Sequence, residues 1–399
     1  MITTYPYVIV GAGMAAKAAI AGIRSQDPTG EILVIGEEPF LPYSRPLLSK
    51  GLWRQTRMEE LWSDLGDGTV GIHYQLGSPV IEIDTVAHRI RTESGSQFEY
   101  EKLLLAIGGR PRRLGGSAGD VYYPGTVREH VRLATRLQGG PKKITVVGGG
   151  FIGSEMTAAL SEQGHRVTWV LEESVPFMRI FPTILQDRLV AAYQEHQVEI
   201  CSNITVAAIE PRANGVAVKT TNGQVITGEA VIVGIGWLLN DEVVRQAGLL
   251  EPDQRGVRVD EYGRTRIANV FACGDIAVSK DAKRVMLHED HALSQGRIVG
   301  RNMTGALEPY TEVPFFYSDL YAWGYEAVGD VDTRHRMVQD WVVLGEEGVV
   351  YYLDGTRLVG VLNWNVWGGV PKARALLAID RDWAPSELMG QIRNGVGGT

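Results

Sequence analysis

The sequence predicts an α/β protein built on parallel β-sheets, and three observations lead to that fold class. Residues 7–38 and 144–173 each contain a β-branched run, a glycine-rich turn, a helical stretch and a second strand, which together form a βαβ unit. Glycine is in excess, with 48 of 399 residues, whereas proline stands at an ordinary 17. This balance indicates tight strand-to-helix turns rather than disorder. Because a helix crosses between the two strands of a βαβ unit, both units require parallel sheets.

The composition excludes several classes of protein. Apolar residues make up 44% and charged residues 22%, which suits a globular chain of two or three domains. The formal charge of −8 and the lack of a basic tail argue against nucleic-acid binding. The longest apolar stretch, residues 8–23, is too short and too glycine-rich to span a bilayer, so no membrane insertion is expected. Only Cys201 and Cys273 are present and strand-like sequence begins near Tyr7, so we expect a cytoplasmic protein without disulfides or a targeting peptide.

The first glycine turn has the features of a dinucleotide-binding site. Gly11 permits the tight turn, Gly13 lets a pyrophosphate approach the backbone, and Ala16 takes the third small position. Glu37 follows the second strand, where an acid can accept hydrogen bonds from ribose hydroxyls. A lone glycine turn is a weak pattern, but the flanking strand, helix and acid favour a nucleotide site over a purely structural turn.

The second glycine turn carries the complete three-glycine pattern at Gly148, Gly150 and Gly153, in the same context of strand, helix and strand. A chain with two dinucleotide sites is best explained by the passage of a hydride from one cofactor to the other. Glu172 and Glu173 follow the second strand of this unit, and the sequence leaves open which of them meets the ribose. No arginine stands directly beside them to accommodate a 2′-phosphate, so NADH is expected in preference to NADPH.

Further motifs make the chain resemble the FAD-dependent pyridine nucleotide oxidoreductases that have two dinucleotide-binding domains. Residues 265–275 are similar to the second FAD motif of that family, and residues 105–111 to the strand and turn between its FAD and NAD domains. Residues 41–50 resemble the flavin-edge loop of oxygenase-type ferredoxin reductases and of apoptosis-inducing factor. Residues 315–329 and 359–364 resemble the C-terminal domain of apoptosis-inducing factor.

The resemblance implies two Rossmann-like dinucleotide-binding domains in a glutathione-reductase-like architecture, with a small α+β C-terminal domain. We expect an FAD-binding domain from residues 1–112 and 240–313, an NAD(H)-binding domain from 113–239 and a C-terminal domain from 314–399. Five of the nine tryptophans lie in the last segment, where strand-like runs predict a small antiparallel sheet capped by a helix.

The family's functional positions carry over residue by residue. Lys50 and Glu155 are expected to be catalytic, as an ion pair beside the reactive edge of the flavin, where the lysine stabilises arriving negative charge. The residues implied to bind FAD or NAD(H) are Gly11, Gly13, Ala15, Ala16, Glu37, Arg45, Lys50, Val80, Arg128, Asp275, His288, Tyr317, Gly148, Gly150, Phe151, Ile152, Gly153, Glu172, Glu173 and Gly236. The alternatives are a solvated loop lysine for Lys50, a helix-start acid for Glu155 and core packing for Tyr317.

Two other patterns predict no chemistry of their own. His288 and His291 flank two acids, but without further convergent ligands no metal site is expected. His288 is expected to contact the flavin ring, whereas packing at the start of a helix explains His291 at least as well. The paired cysteines of the glutathione-reductase type are absent and Cys273 lies inside the FAD motif, so thiol chemistry is not expected.

We interpret the chain as an enzyme in which NADH passes a hydride to N5 of FAD, and the flavin passes electrons onward. The expected acceptor is a small ferredoxin-like iron–sulfur protein. The alternatives are an NADH:quinone or diaphorase-type reductase, and an NADH-binding redox sensor or assembly protein like apoptosis-inducing factor. An acidic ferredoxin would dock on a basic surface. The candidate residues are Arg110, Arg112 and Arg113, joined by Arg54 and Arg57. The alternative is that these arginines are solvent-exposed loop residues or bind FAD phosphates. The oligomeric state stays open, a homodimer included.

Overall fold

The computed structural model describes residues 2–62, 70–115, 119–280 and 285–393. The chain divides into two compact units, each assembled from three segments. Unit 1 consists of Met1–Arg45, Arg57–Arg110 and Trp237–Pro314, and unit 2 consists of Pro46–Thr56, Pro111–Gly236 and Phe315–Thr399. No helix within the described ranges is long and apolar enough to cross a bilayer.

The helices and strands are numbered in chain order. The helices are α1 (Met14–Arg24), α2 (Val127–Arg136), α3 (Phe151–Glu162), α4 (Thr183–Glu195), α5 (Glu242–Gln246), α6 (Glu289–Met303), α7 (Val370–Leu377) and α8 (Pro385–Leu388). The strands are β1 (Thr3–Val10), β2 (Ile32–Ile35), β3 (Ile72–Gln75), β4 (Val80–Asp84), β5 (Arg89–Thr92), β6 (Gln97–Leu105), β7 (Gly109–Pro111), β8 (Val121–Tyr122), β9 (Lys143–Val147), β10 (Arg166–Val170), β11 (Glu199–Cys201), β12 (Val206–Arg212), β13 (Gly215–Thr220), β14 (Val225–Gly228), β15 (Ala230–Val233), β16 (Trp237–Leu239), β17 (Val257–Val259), β18 (Val270–Ala272), β19 (Ala277–Ser279), β20 (Phe315–Leu320), β21 (Trp323–Gly329), β22 (Arg336–Val343), β23 (Glu347–Asp354) and β24 (Arg357–Trp364).

A seven-stranded sheet organises unit 1, in the order β3-β2-β1-β6-β5-β4, with β18 beside the C-terminal half of β6. Strands β3, β2, β1, β6 and β18 run parallel, whereas β4, β5 and β6 form an antiparallel meander. Val10 pairs with Ile35 on one side and with Leu105 on the other, so the three central strands end level with one another. Ligands of open parallel sheets bind at this carboxyl edge, which is where the first glycine turn begins.

Helices α1 and α6 of unit 1 pack closely because small residues face each other. A Cβ added at Gly22 would lie 2.1 Å from the carbonyl oxygen of Arg297, and one at Gly300 would lie 2.1 Å from that of Ala19. Only glycine allows the two backbones to approach so nearly. The alanine- and glycine-rich sequence of α1 is therefore explained by packing on α6, in addition to any ligand at its N-terminus.

Unit 2 contains a parallel sheet, an antiparallel meander and a second antiparallel sheet. The parallel sheet has the order β11-β10-β9-β15-β8, the meander is β12-β13-β14, and the second sheet has the order β20-β21-β24-β23-β22 with α7 against β21 and β24. Buried side chains of α3, β10 and α4 share one core with those of the second antiparallel sheet, and this core includes Trp169, Phe181, Tyr325 and Trp364. Both predicted βαβ units and the predicted C-terminal sheet with its helix are confirmed. The boundaries of the three predicted domains stay a prediction.

Candidate functional site

The first glycine turn joins β1 to α1 and needs glycine for two different reasons. Gly11 has a φ of +105°, and a Cβ there would lie 2.2 Å from the carbonyl oxygen of Ala106. Gly13 is the N-cap of α1 with a φ of −99°, and a Cβ there would meet no atom of the described residues within 4 Å. Neither backbone conformation nor internal packing therefore requires glycine at position 13. A phosphate bound at the N-terminus of α1, above the buried Ala15 and Ala16, would require it.

The second glycine turn repeats this arrangement in unit 2. Gly148 has a φ of +112°, and a Cβ at Gly153 would lie 2.0 Å from the Gly148 carbonyl oxygen. Gly150 is the N-cap of α3 with a φ of −84°, and an added Cβ would touch nothing within 4 Å in the part of the chain that the structure describes. Because Gly150 caps the helix, α3 begins at Phe151, directly after the second glycine turn. Each unit thus offers one site at a helix N-terminus that fits a dinucleotide phosphate.

The acids after β2 have different surroundings. Glu38 accepts hydrogen bonds from the Tyr43 hydroxyl at 2.8 Å and from the Arg45 guanidinium at 2.6 Å. Glu37, the residue predicted to bind ribose, is exposed just beyond the end of β2. Glu38 is therefore held by protein groups, and Glu37 keeps the exposure that a ligand-binding acid needs.

The acids after β10 are also distinguished by position. Glu172 and Glu173 are both exposed. Oε2 of Glu173 lies 3.2 Å from the place where a Cβ of Gly149 would stand, so this carboxylate is directed at the second glycine turn. Which of the two acids meets a ribose stays a prediction.

Asp275 lies in the short 3-10 turn Gly274–Ile276 that follows β18. Burial raises the pKa of its carboxyl to about 6, while the positive charge of Arg45 opposes that rise. The turn is fastened to α6, because the Gly274 N–H donates a 2.9 Å hydrogen bond to the side-chain oxygen of Gln295. Arg45 and Asp275, two predicted FAD residues, thus interact electrostatically within unit 1.

The remaining predicted residues of unit 1 are Val80, in a strand, and His288, at the start of a helix that also contains His291. Val80 begins β4 and is partly buried, and His288 is the N-cap of α6. Burial lowers the pKa of His288 to about 4, so its imidazole is neutral at pH 7. His291 is buried in α6 with Nδ1 3.0 Å from the Tyr310 hydroxyl, which is the packing role considered for it. Across the described residues, no three His, Cys, Asp or Glu side chains are grouped so that they could hold a metal ion.

The carboxylate of Glu155 is the centre of a buried polar cluster in unit 2. The Glu155 side chain is only 5% exposed and lies in α3. Its Oε2 accepts a 2.6 Å hydrogen bond from the Ser49 hydroxyl, and its Oε1 accepts one of 2.7 Å from the Ser318 hydroxyl. Oε1 also lies 3.5 Å from Nζ of Lys50, so the predicted ion pair is present. An isolated buried charge costs several kcal/mol, and these three groups compensate it.

Lys50 is held on its other side by Tyr317. Its Nζ donates a 2.8 Å hydrogen bond to the carbonyl oxygen of Tyr317 and lies 3.9 Å from the centre of the Tyr317 ring. With a side chain 15% exposed, Lys50 is not a solvated loop lysine. The structure therefore brings together Lys50, Glu155 and Tyr317, whereas their placement beside a flavin stays a prediction.

Sequence reasoning missed the roles of Ser49 and Ser318. Ser49 directly precedes Lys50, and Ser318 follows Tyr317 in β20, where successive side chains point to opposite faces. Adjacency to two predicted residues was the one available indication. Nothing in the local pattern relates either serine to Glu155, which is more than one hundred residues away from both.

Four further predicted residues of unit 2 have simpler surroundings. Phe151 and Ile152 are partly buried against the unit 2 core. Arg128 is exposed near the start of α2. Gly236 has a φ of +109°, and its carbonyl oxygen accepts a 2.9 Å hydrogen bond from the Arg112 N–H. The contacts of these four residues with a cofactor stay predictions.

The arginines considered for docking are largely paired with acids. Arg110 lies 2.8 Å from Glu242 in unit 1. The other pairs are Arg54 with Glu162 at 3.1 Å in unit 2 and Arg57 with Glu60 at 3.6 Å in unit 1. Arg112 and Arg113 are exposed and have no acidic partner among the described residues, although Arg113 lies over the ring of Tyr123. The basic character of this set therefore rests on Arg112 and Arg113.

Two parallel sheets, each with an open glycine N-cap and an acid after the next strand, define a protein that binds two dinucleotides. The chain belongs to the pyridine nucleotide-disulphide oxidoreductase family, whose sequence model matches residues 5–296. It is accordingly an FAD-dependent NAD(P)H oxidoreductase, as the sequence analysis predicted.

Relatives and solved structures extend this likeness over nearly the whole chain. Rhodocoxin reductase of Rhodococcus erythropolis is 33% identical over 95% of this chain and 91% of its own length. The ferredoxin–NAD(+) reductase component of the anthranilate 1,2-dioxygenase system of Burkholderia cepacia is 32% identical over 96% of each chain. Mitochondrial apoptosis-inducing factor 1 of Dictyostelium discoideum is 29% identical over 94% of this chain and 79% of its own. The covalent putidaredoxin reductase–putidaredoxin complex contains a chain that superposes with a TM-score of 0.84, at 25% identity, over 94% of this chain and 93% of that one. Both predicted resemblances are confirmed.

Proposed function

We propose that this oxidoreductase takes electrons from NADH and delivers them to a small ferredoxin-like iron–sulfur protein. The buried Lys50–Glu155 pair, located in the unit that carries the second glycine turn, is the observation that carries the proposal. A relative that shares 32% of its residues with this chain is named as a ferredoxin–NAD(+) reductase component, which supports the choice of acceptor. We further propose the predicted division into FAD, NAD(H) and C-terminal domains, and the cytoplasm as the compartment.

Thiol groups do not take part in the proposed reaction. Cys201 and Cys273 are both free. Burial raises the pKa of Cys273 to about 12 and also raises that of Cys201, with the charge of Glu199 adding to the latter. Since the thiolate is the reactive form, both side chains are poor nucleophiles at neutral pH.

The two helix N-termini, two acids and the Lys50–Glu155 pair would each have a separate part in the reaction. The N-termini of α1 and α3 would hold the two pyrophosphates, and Glu37 and Glu173 would accept hydrogen bonds from ribose hydroxyls. FAD, when bound, accepts two electrons from NADH and releases them singly, which suits a one-electron iron–sulfur acceptor. Lys50 would present a positive N–H donor to negative charge, and Glu155 would balance it.

The direct test is NADH oxidation by the purified FAD-loaded protein with and without an acidic two-iron ferredoxin. We expect ferredoxin reduction that falls steeply with salt, because screening weakens the encounter of opposite charges. Arg112→Glu combined with Arg113→Glu should slow ferredoxin reduction and leave ferricyanide reduction unchanged. If both acceptors respond alike, or neither responds, Arg112 and Arg113 are not the docking surface.

A redox sensor is the second candidate, favoured by the match to an apoptosis-inducing factor over most of this chain. A sensor would hold the NADH-reduced state for a long time and change its oligomeric state on reduction. Anaerobic reduction followed by size-exclusion chromatography separates the two functions. A shift between monomer and homodimer with slow reoxidation by ferredoxin supports the sensor, and fast reoxidation without such a shift supports the reductase. The third candidate, a quinone reductase, is tested by replacing the ferredoxin with a quinone in the NADH oxidation assay.

A further inference from the structure

Two serine hydroxyls from distant segments meet on one buried carboxylate. Ser49 belongs to the segment Pro46–Thr56 and is 3% exposed, while Ser318 belongs to β20 and is fully buried. They donate to different oxygens of Glu155, at 2.6 Å and 2.7 Å. A carboxylate held at both oxygens cannot rotate about its terminal bond without losing a hydrogen bond.

Lys50 stands in a different relation to the same carboxylate. The separation of 3.5 Å between its Nζ and Oε1 of Glu155 is an ion-pair distance, longer than a charged hydrogen bond. The short bond of Lys50 goes instead to the Tyr317 carbonyl oxygen, at 2.8 Å. An ammonium group has three N–H donors, so this bond occupies only one of them.

We propose that Ser49 and Ser318 are positioning residues that satisfy the hydrogen bonds of Glu155 and so keep Lys50 from being drawn onto it. Without the hydroxyls, the buried carboxylate loses two donors, and the ammonium of Lys50, 3.5 Å from Oε1, can supply one in their place. The lysine would then donate to Glu155 rather than to the reacting cofactor. This inference rests on the proposed function, in which Lys50 acts during the reduction of the flavin by NADH.

A matched control exists in the same helix. Ser161 lies in α3 and is 8% exposed, and its hydroxyl lies 2.8 Å from that of Tyr321. Like Ser49 and Ser318, it is a buried serine that joins α3 to another segment of unit 2. It makes no hydrogen bond to Glu155, so Ser161→Ala reports the cost of losing a buried hydroxyl alone.

The test is a double-mutant cycle on the FAD-loaded enzyme, measured by anaerobic stopped flow. Ser49→Ala, Ser318→Ala and Ser161→Ala are each made in the natural chain and in a Glu155→Gln background. The limiting rate constant of flavin reduction and the dissociation constant of NADH are obtained from the dependence on NADH concentration. Melting temperature and FAD content are measured for each variant, so that a variant that loses FAD is set aside and the other serine decides.

We expect Ser49→Ala and Ser318→Ala to lower the limiting rate about tenfold while the NADH dissociation constant is unchanged. In the Glu155→Gln background the same substitutions should change the rate less than about twofold, because the charge that they serve is gone. Equal losses in both backgrounds, or an equal loss for Ser161→Ala, would overturn the positioning role. Failure of NADH to reduce the unsubstituted protein would instead overturn the proposed function.

Discussion

The carboxylate of Glu173 lies against Gly149 in the second glycine turn, with Oε2 3.2 Å from the place of a Cβ on that glycine. The backbone N–H of Asn203 also donates a 3.1 Å hydrogen bond to the Glu173 carbonyl oxygen, which fixes the backbone there. An acid held beside a phosphate-binding turn is suited to receive the ribose hydroxyls of NADH and to repel a 2′-phosphate.

Glu173→Gln should therefore weaken the preference for NADH, and Glu172→Gln should not. We expect the ratio of kcat/KM for NADH to that for NADPH to fall about tenfold in the first variant, the value of one charged hydrogen bond. The ratio should stay within about twofold of the natural protein in the second. An equal effect of the two substitutions would show that the orientation of Glu173 does not determine cofactor choice.

Gly13→Val and Gly150→Val should separate the two cofactors. Both glycines have negative φ and open surroundings in the described structure, so the added side chain should not prevent folding. Gly13→Val should yield a folded, colourless protein, because valine takes the place of the FAD pyrophosphate. Gly150→Val should retain FAD but require much more NADH for reduction. Absorbance spectra and NADH titrations check both, and normal FAD binding by Gly13→Val would contradict the assignment.

Lys50→Met should slow flavin reduction by about a hundredfold, the usual cost of removing one donor aimed at developing charge. Arg54→Met is the matched control, since Arg54 lies in the same segment but pairs with a half-buried acid elsewhere on α3. Stopped-flow reduction by NADH measures both. A rate for Lys50→Met equal to that of the control would remove Lys50 from the reaction.

His291 should make the protein less stable in mild acid. Burial lowers the pKa of its imidazole to about 4, and repulsion between the protonated forms of His291 and His288 is a smaller cause. The unfolded chain therefore binds the proton first, and stability is lost as pH falls from about 6.5 towards 4. The loss is about 2 kcal/mol at pH 5, which lowers the melting temperature by a few degrees.

His291→Asn isolates this contribution, because asparagine can still bond the Tyr310 hydroxyl but does not titrate. Its melting temperature should fall less between pH 7 and pH 5 than that of the natural protein. Two other buried groups titrate in this range and are common to both proteins. Burial also lowers the pKa of His288 to about 4, which adds to the loss in acid, and it raises the pKa of Asp275, which acts in the opposite direction. Parallel melting curves across this range would contradict the assignment of the acid sensitivity to His291.

The repeated βαβ units were predictable because the glycines, the β-branched strands and the acids after them lie within short stretches of sequence. The Lys50–Glu155 pair came only from family resemblance, since the two residues are far apart in the chain. Ser49 and Ser318 could not be found that way, because their hydrogen bonds to Glu155 arise from the packing of distant segments. The choice between Glu172 and Glu173 likewise depends on the path of the backbone after β10.

The prediction of a basic docking surface was limited in the same way, because contacts between distant segments of the chain could not be seen in the sequence. Composition and proximity in sequence suggested a basic surface, but Arg110 pairs with Glu242, which is 132 positions away. Net charge along a segment therefore overstates the charge that remains once the chain has folded. Arg112 and Arg113 are exposed and pair with no acid among the described residues, so they are the two arginines to substitute in docking experiments.

Anaerobic mixing of the FAD-loaded protein with NADH, followed by an acidic two-iron ferredoxin, tests the central claim most directly. NADH should bleach the visible flavin band within a catalytic turnover, and the ferredoxin should restore it while its own cluster becomes reduced. A flavin that NADH does not bleach, or one that stays reduced in the presence of excess oxidised ferredoxin, would contradict the proposed electron transfer.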